Sequence, residues 1–101
     1  MERITYATSW NPQIYSYVWG EIIESETFFP SPYTKISLSL LRIGKGYGYK
    51  DGWGILDQYD QEDHPSYANS SDGKLIWFAS EEEAREEYDD NLNFFSKKFP
   101  R

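Results

Sequence analysis

Ile4, Tyr6, Thr8 and Trp10 alternate with Thr5, Ala7 and Ser9, a period of two that predicts a strand over residues 3–10 with one heavier face. Asn11-Pro12 is read as the turn that follows. Over residues 14–24, IYSYVWGEIIE places Tyr15, Tyr17 and Trp19 on one face and Ile14, Ser16 and Val18 on the other. Its β-branched and aromatic content predicts a second strand. Gly20 suggests a bulge there, at which the register switches and Ile22 or Ile23 turns inward. Pro30 and Pro32 stand among Phe28, Phe29 and Tyr33, so residues 28–34 are expected to form an irregular connection outside any ladder.

The clearest alternation follows, with Ile36, Leu38 and Leu40 on one face and Ser37 and Ser39 on the other, predicting a half-buried strand over 35–49. The run IGKGYGYKDGWGIL is spaced by Gly44, Gly46, Gly48, Gly52 and Gly54. Closely spaced glycines can cradle phosphate, but no Lys-Ser/Thr stands at Walker spacing and the dinucleotide fingerprint is also missing. A hairpin with Asp51-Gly52 as a type I′ turn fits better. Its register would set Lys50 against Trp53, Tyr49 against Gly54, Gly48 against Ile55 and Tyr47 against Leu56, continuing into a strand over 53–58. Residues 57–73 are polar and acidic, end in Asp72-Gly73, and read as a long loop. A short apolar strand, KLIWFA over 74–79, is expected to lie buried at or next to the centre of the sheet.

Ser80 and Glu83 form the S-x-x-E capping box, which predicts a helix over 80–98. Ala84, Tyr88, Leu92, Phe95 and Phe99 recur with helical spacing and make a stripe that can pack on a sheet. Glu81, Glu82 and Glu83 in the first turn and Lys97 and Lys98 in the last complement the helix dipole, and Pro100 ends the element. The pattern as a whole predicts a single α+β domain over 1–101, a twisted antiparallel sheet of about five strands with a C-terminal amphipathic helix packed on one face.

Composition narrows the chemistry. The chain has no cysteine, which excludes disulfides, thiol catalysis and thiolate metal sites. Aromatic residues make up 19% of it, so Trp, Tyr and Phe must supply much of the buried area. The start shows no basic region followed by an apolar run, and no stretch is long and apolar enough for a membrane span, so a soluble cytoplasmic protein is expected.

Charge is distributed unevenly. Residues 1–50 carry four acids and five bases, whereas residues 51–101 carry thirteen acids and five bases, within a net charge of −7. Such a field disfavours direct nucleic-acid binding through phosphates and favours encounter with a basic partner. Seven acids and one base, Arg85, lie between residues 80 and 90. A helix face of this kind is either a solvated surface or a docking surface for a basic groove. Carboxylates one turn apart lie about 5 Å apart along the axis, near enough to duplex phosphate spacing for crude mimicry.

Catalytic candidates are few. Asp57, Asp60, Glu62, Asp63 and His64 could hold a divalent cation, but their spacing is not that of an EF-hand, and an exposed turn before Pro65 explains them better. A Ser-His-Asp triad would have to draw His64, Ser66 or Ser70 from that same loop. Glycosidase-type carboxylates with Trp10, Trp19 and Trp53 as sugar platforms would need a concave site that a chain this small scarcely provides. Asn69-Ser70-Ser71 matches a glycosylation sequon but has no secretory route.

The sequence therefore favours a non-enzymatic interaction protein without metal or cofactor, an inhibitor or decoy that covers a basic, nucleic-acid-binding type of surface on a larger protein. Small phage-encoded antagonists of host defence share its size, acidity and aromatic content, an analogy of type only. The expected contact residues are Glu82, Glu83, Glu86, Asp89 and Asp90, with Tyr47, Tyr49 and Trp53 as aromatic neighbours. Two alternatives are a carbohydrate or small-ligand module using Tyr15, Tyr17, Trp19, Tyr47, Tyr49 and Trp53, and a metal-dependent enzyme centred on residues 57–64.

Overall fold

A computed structural model describes residues 1–8, 11–32, 34–46, 50–61 and 70–99. Five strands precede one helix: β1 (Glu2–Thr8), β2 (Asn11–Ser31), β3 (Thr34–Ile43), β4 (Gly52–Gln61), β5 (Ser70–Phe78) and α1 (Glu81–Lys98). The strands pair in chain order and curl into a closed barrel. Neighbours are antiparallel, and an odd number of alternating strands forces the closing pair, β1 with β5, to be parallel. Its register is Thr8 opposite Gly73. Near this seam the Gln58 amide Nε2 donates to the Thr5 carbonyl at 3.2 Å, tying β4 to β1.

β2 spans 21 residues and serves two partners in succession. Its first half, up to Gly20, pairs with β1, and its second half, from Gly20 onward, pairs with β3. Gly20 is thus opposite both Glu2 and Ile43, and a Cβ there would lie 2.7 Å from the Arg42 carbonyl oxygen. Close approach, not a bulge, requires this glycine. The register shift falls between Ile22 and Glu24, and neither Ile22 nor Ile23 turns inward: both are exposed. Asn11 and Pro12 do not form a turn but open β2, with Asn11 opposite Thr8.

Residues 28–31 belong to the ladder, contrary to the irregular connection expected from the prolines. Phe28 pairs with Ile36 and is fully buried, which outweighs the local proline signal. A second register shift, between Phe28 and Ser31, accommodates Pro30, and Pro32 lies in the turn beyond the strand.

Both faces of β3 are buried. Phe28, Ile36, Leu38, Leu40 and Ile55 form one cluster with Ala84, Tyr88 and Phe95 of the helix. Tyr6, Val18, Leu41, Ile43 and Leu56 form a second cluster, with no helix residue in it, inside the barrel. The serine face expected to meet solvent therefore looks into the barrel, where Ser39 is buried and its hydroxyl lies 3.1 Å from that of Ser25.

The β3–β4 register corrects the two-residue hairpin. Gly54 pairs with Leu41, Ile55 with Leu40 and Leu56 with Ser39, so β3 ends at Ile43 and residues 44–51 connect the strands. Relative to the hairpin, β4 has slid by eight residues, an even number that preserves which side chains face inward. The slide gives Ile55 a leucine partner in place of a glycine. Burying leucines stabilises by about 1.5–3 kcal/mol each, enough to override a local turn preference. Arg42 secures the junction, its Nη1 donating to the carbonyls of Ile43 and Gly52, each at 2.6 Å.

The long loop is also shorter than expected, because β4 runs to Gln61 and β5 starts at Ser70. Asp72 and Gly73 are not a turn; they pair with Tyr59 and Gln58. β5 is not a buried central strand either. Ile76 and Trp77 are each more than a third exposed, since the latter half of β5 has β4 on one side and, among the described residues, no strand ladder on the other.

The helix follows the sequence expectation closely. Ser80 is extended and its Oγ accepts from the Glu83 N–H at 3.3 Å. Ala84, Tyr88 and Phe95 are buried, and Leu92 and Phe99 pack beside them. At the other end, the Phe99 N–H bonds the Phe95 carbonyl at 2.8 Å. The helix lies on the outer face of the barrel over β3, β4 and β5 and the second half of β2.

Candidate interaction surface

Packing the Ala84–Phe99 stripe against the barrel fixes which side chains of the helix point outward. Glu82, Glu83, Glu86, Glu87, Asp89 and Asp90 are all exposed. All lie in the first ten residues of the helix, so the charge concentrates at the end where the dipole stabilises anions.

Arg85 is the one base in this stretch, and its guanidinium is already engaged. Nη1 donates to Glu24 Oε1 on β2 at 2.7 Å, and Nη2 donates to Glu81 at 3.2 Å. The two carboxylates raise the guanidinium's pKa further by hydrogen bonding to it. None of the six exposed acids above is ion-paired among the described residues. The face presents negative charge without internal neutralisation.

The β2 side of the helix adds acids that helical spacing alone does not reveal. Glu24 and Glu26 pair with Leu40 and Leu38, so they share the face that the helix covers. Tyr88 inserts beneath the helix beside them. It is fully buried and its hydroxyl has no hydrogen-bond partner among the described residues. Burial is the main cause that pushes its pKa up to about 12, followed by the charges of Glu24, Glu26 and Asp89, with Arg85 opposing. The charges that act on this oxygen place it at the seam between α1 and β2.

The aromatic neighbours separate. Trp53 packs against the helix-covered cluster, with the Arg42 guanidinium carbon 4.7 Å from its ring centroid. Tyr47 and Tyr49 lie outside the described residues, as does the side chain of Tyr15. Tyr17 and Trp19 occupy the first half of β2, away from the helix, and Arg3 stacks over Tyr17 at 4.5 Å. Trp19 is exposed.

Of the acidic loop, Asp57 sits within β4 opposite Lys74, whereas residues 62–64 lie outside the described residues. Asp57 is partly buried, one carboxylate oxygen has no partner among the described residues, and desolvation raises its pKa against the lowering effect of Lys74. Among the described residues no three histidines, cysteines or acids come together as a metal site. No described helix is long and apolar enough to cross a membrane.

Glu24, Glu26 and Tyr88 are the residues that sequence reasoning missed as site members. Their signal was the alternation Glu24, Glu26, Phe28, which continues the strand past the point where the prolines suggested it had ended. Neither family models, curated proteins nor solved structures match this chain. Function must be read from its own surface.

Proposed function

We propose that this protein is a non-enzymatic interaction module whose acidic helix face docks onto a basic surface of a larger protein, acting as an inhibitor or decoy where that surface would otherwise hold nucleic acid. The observation that supports this reading is the engagement of Arg85 by Glu24 and Glu81. A solvated surface helix commonly interleaves both signs for mutual support. Here the single cation of residues 80–90 is drawn toward the sheet, leaving six carboxylates directed at solvent. Electrostatic complementarity of this kind speeds association and rejects acidic competitors.

The carbohydrate alternative requires its rings on one open face. Trp53 packs with the helix cluster and Tyr17 lies beneath Arg3, so the geometry gives that reading less support.

Affinity capture from nuclease-treated soluble lysate, at low and high salt, tests the proposal. A basic protein should be retained at low salt, released at high salt, and displaced by added duplex nucleic acid. Retention that ignores both salt and nucleic acid would contradict the decoy reading.

A further inference from the structure

β2 passes through Gly20 from one ladder to another without a break, and the chain up to that point forms a unit of its own. That unit is the hairpin of β1 with the first half of β2; the second half of β2, with β3, β4, β5 and α1, makes the rest. Away from Gly20, the ladder joins the two parts among the described residues only at the Thr8–Gly73 bridge, near which Gln58 Nε2 donates to the Thr5 carbonyl. The stronger tie is apolar. Tyr6 and Val18 come from the hairpin, with Ile4 beside them, and meet Leu41, Ile43 and Leu56 from the other part inside the barrel.

Gly20 is the pivot between the parts. A Cβ there would lie 2.7 Å from the Arg42 carbonyl oxygen on β3 and 3.4 Å from Ile4 Cδ1 on β1, so a side chain would act as a wedge between the hairpin and β3. When the hairpin leaves, Tyr6 and Val18 on one surface and Leu41, Ile43 and Leu56 on the other lose their cover. A second copy opened in the same way offers each surface the complement it has lost. Charge also permits the exchange. Residues 1–20 hold one acid, Glu2, and one base, Arg3, so the net charge of −7 lies outside the hairpin. The hairpin itself therefore meets no like-charge repulsion on entering an acidic second copy.

We propose that residues 1–20 exchange between two copies of this chain, β2 straightening at Gly20 so that each hairpin completes the barrel of the other copy. The swapped dimer repeats the contacts of the monomer, so protein concentration and the cost of curling β2 at Gly20 set the balance between them. Closure within one chain acts at an effective concentration of roughly millimolar, and exchange needs barrels that fold or open at a comparable protein concentration. The exchange is independent of what the acidic face of α1 binds.

Refolding from denaturant at about 1 mM and at about 1 μM, either side of that balance, is the test. Thr8→Cys with Gly73→Cys places a single cysteine pair at the closing bridge of a chain that has no other. Paired strands lie about 4.7–4.9 Å apart, within the reach of a disulfide. Dilute refolding should give monomers bonded within one chain, and concentrated refolding should give dimers bonded between chains. Two size-tagged forms of the natural protein should yield mixed dimers when refolded together at the higher concentration, and dimers mixed after refolding should not exchange without unfolding. Gly20→Val, or Gly20→Ala where the valine variant does not fold, should raise the dimer-to-monomer ratio at least about tenfold at the same concentration. Monomers alone at the higher concentration, or dimers whose disulfides lie within chains, overturn the exchange. Where the cysteines do not oxidise, the tagged forms decide, and dimers that exchange freely after refolding overturn it. Gly20 variants that fold and stay as monomeric as the natural protein also overturn it, because the pivot is then elsewhere.

Discussion

Arg85 Nη1 lies 2.7 Å from Glu24 Oε1, joining the second turn of the helix to the second half of β2 across 61 residues of sequence. The contact is solvent-accessible on both sides, so its contribution to stability is modest. Its larger effect is on the surface, because it holds the one base of the acidic stretch toward the sheet.

Arg85→Gln is therefore expected to leave stability nearly unchanged. It should at the same time increase affinity for a basic partner, because Glu24 and Glu81 are released. Chemical denaturation and binding titrations on the same variant check the two halves of this statement.

Tyr88→Phe removes a hydroxyl that has no partner among the described residues while keeping the buried ring. Stability at neutral pH should stay level or rise, whereas Tyr88→Ala should lose about 3–5 kcal/mol through the cavity it leaves. The raised pKa also sets a sign. The folded state holds the phenol proton more tightly than the unfolded chain, so stability declines as pH rises from about 10 to about 12. Denaturation midpoints across that range should fall more steeply for the natural protein than for Tyr88→Phe.

Asp57 behaves in the same sense at acid pH. Burial raises its pKa, so folding favours the protonated carboxyl and the ionised form is a liability above the carboxylate range. Asp57→Asn should stabilise the protein at pH 7 by on the order of 1 kcal/mol, and the gain should vanish below the ordinary carboxyl pKa. Thermal melts of both proteins at neutral and acid pH provide the comparison.

Ser80→Ala removes the oxygen that accepts from the Glu83 N–H. The loss should be about 1 kcal/mol, typical of an N-cap, and Ser80→Asp should restore it. Circular dichroism melts will show both effects.

The helix was legible because its determinants are local. The Ser80 cap, the Ala84–Phe99 stripe and the end charges all lie within a few residues of the groups they act on. The strand Ile36–Leu40 was legible for the same reason, but its surroundings were not. Ser37 and Ser39 resembled a solvent face, and it is the β2–β3 register that sets Ser39 opposite Ser25. Asp51-Gly52 gave a strong local turn signal that lost to distant partners, with Leu40 and Leu41 recruiting Ile55 and Gly54.

The candidate site divides along the same line. Glu82, Glu83, Glu86, Asp89 and Asp90 could be placed on an exposed helix face from spacing alone. Glu24, Glu26 and the Tyr88 hydroxyl join them only through the register shift near Ile23 and the length of β2, which depend on how that strand divides itself between β1 and β3.

The account turns on whether the acidic face of α1 binds a basic partner. The decisive measurement is the dissociation constant of the captured partner for the natural protein and for the variant carrying Glu82→Lys, Glu86→Lys, Asp89→Lys and Asp90→Lys, with matched melting profiles as the control for folding. The account predicts that the variant folds and loses binding by more than about a hundredfold at low salt. A correctly folded variant that binds as tightly as the natural protein would contradict it.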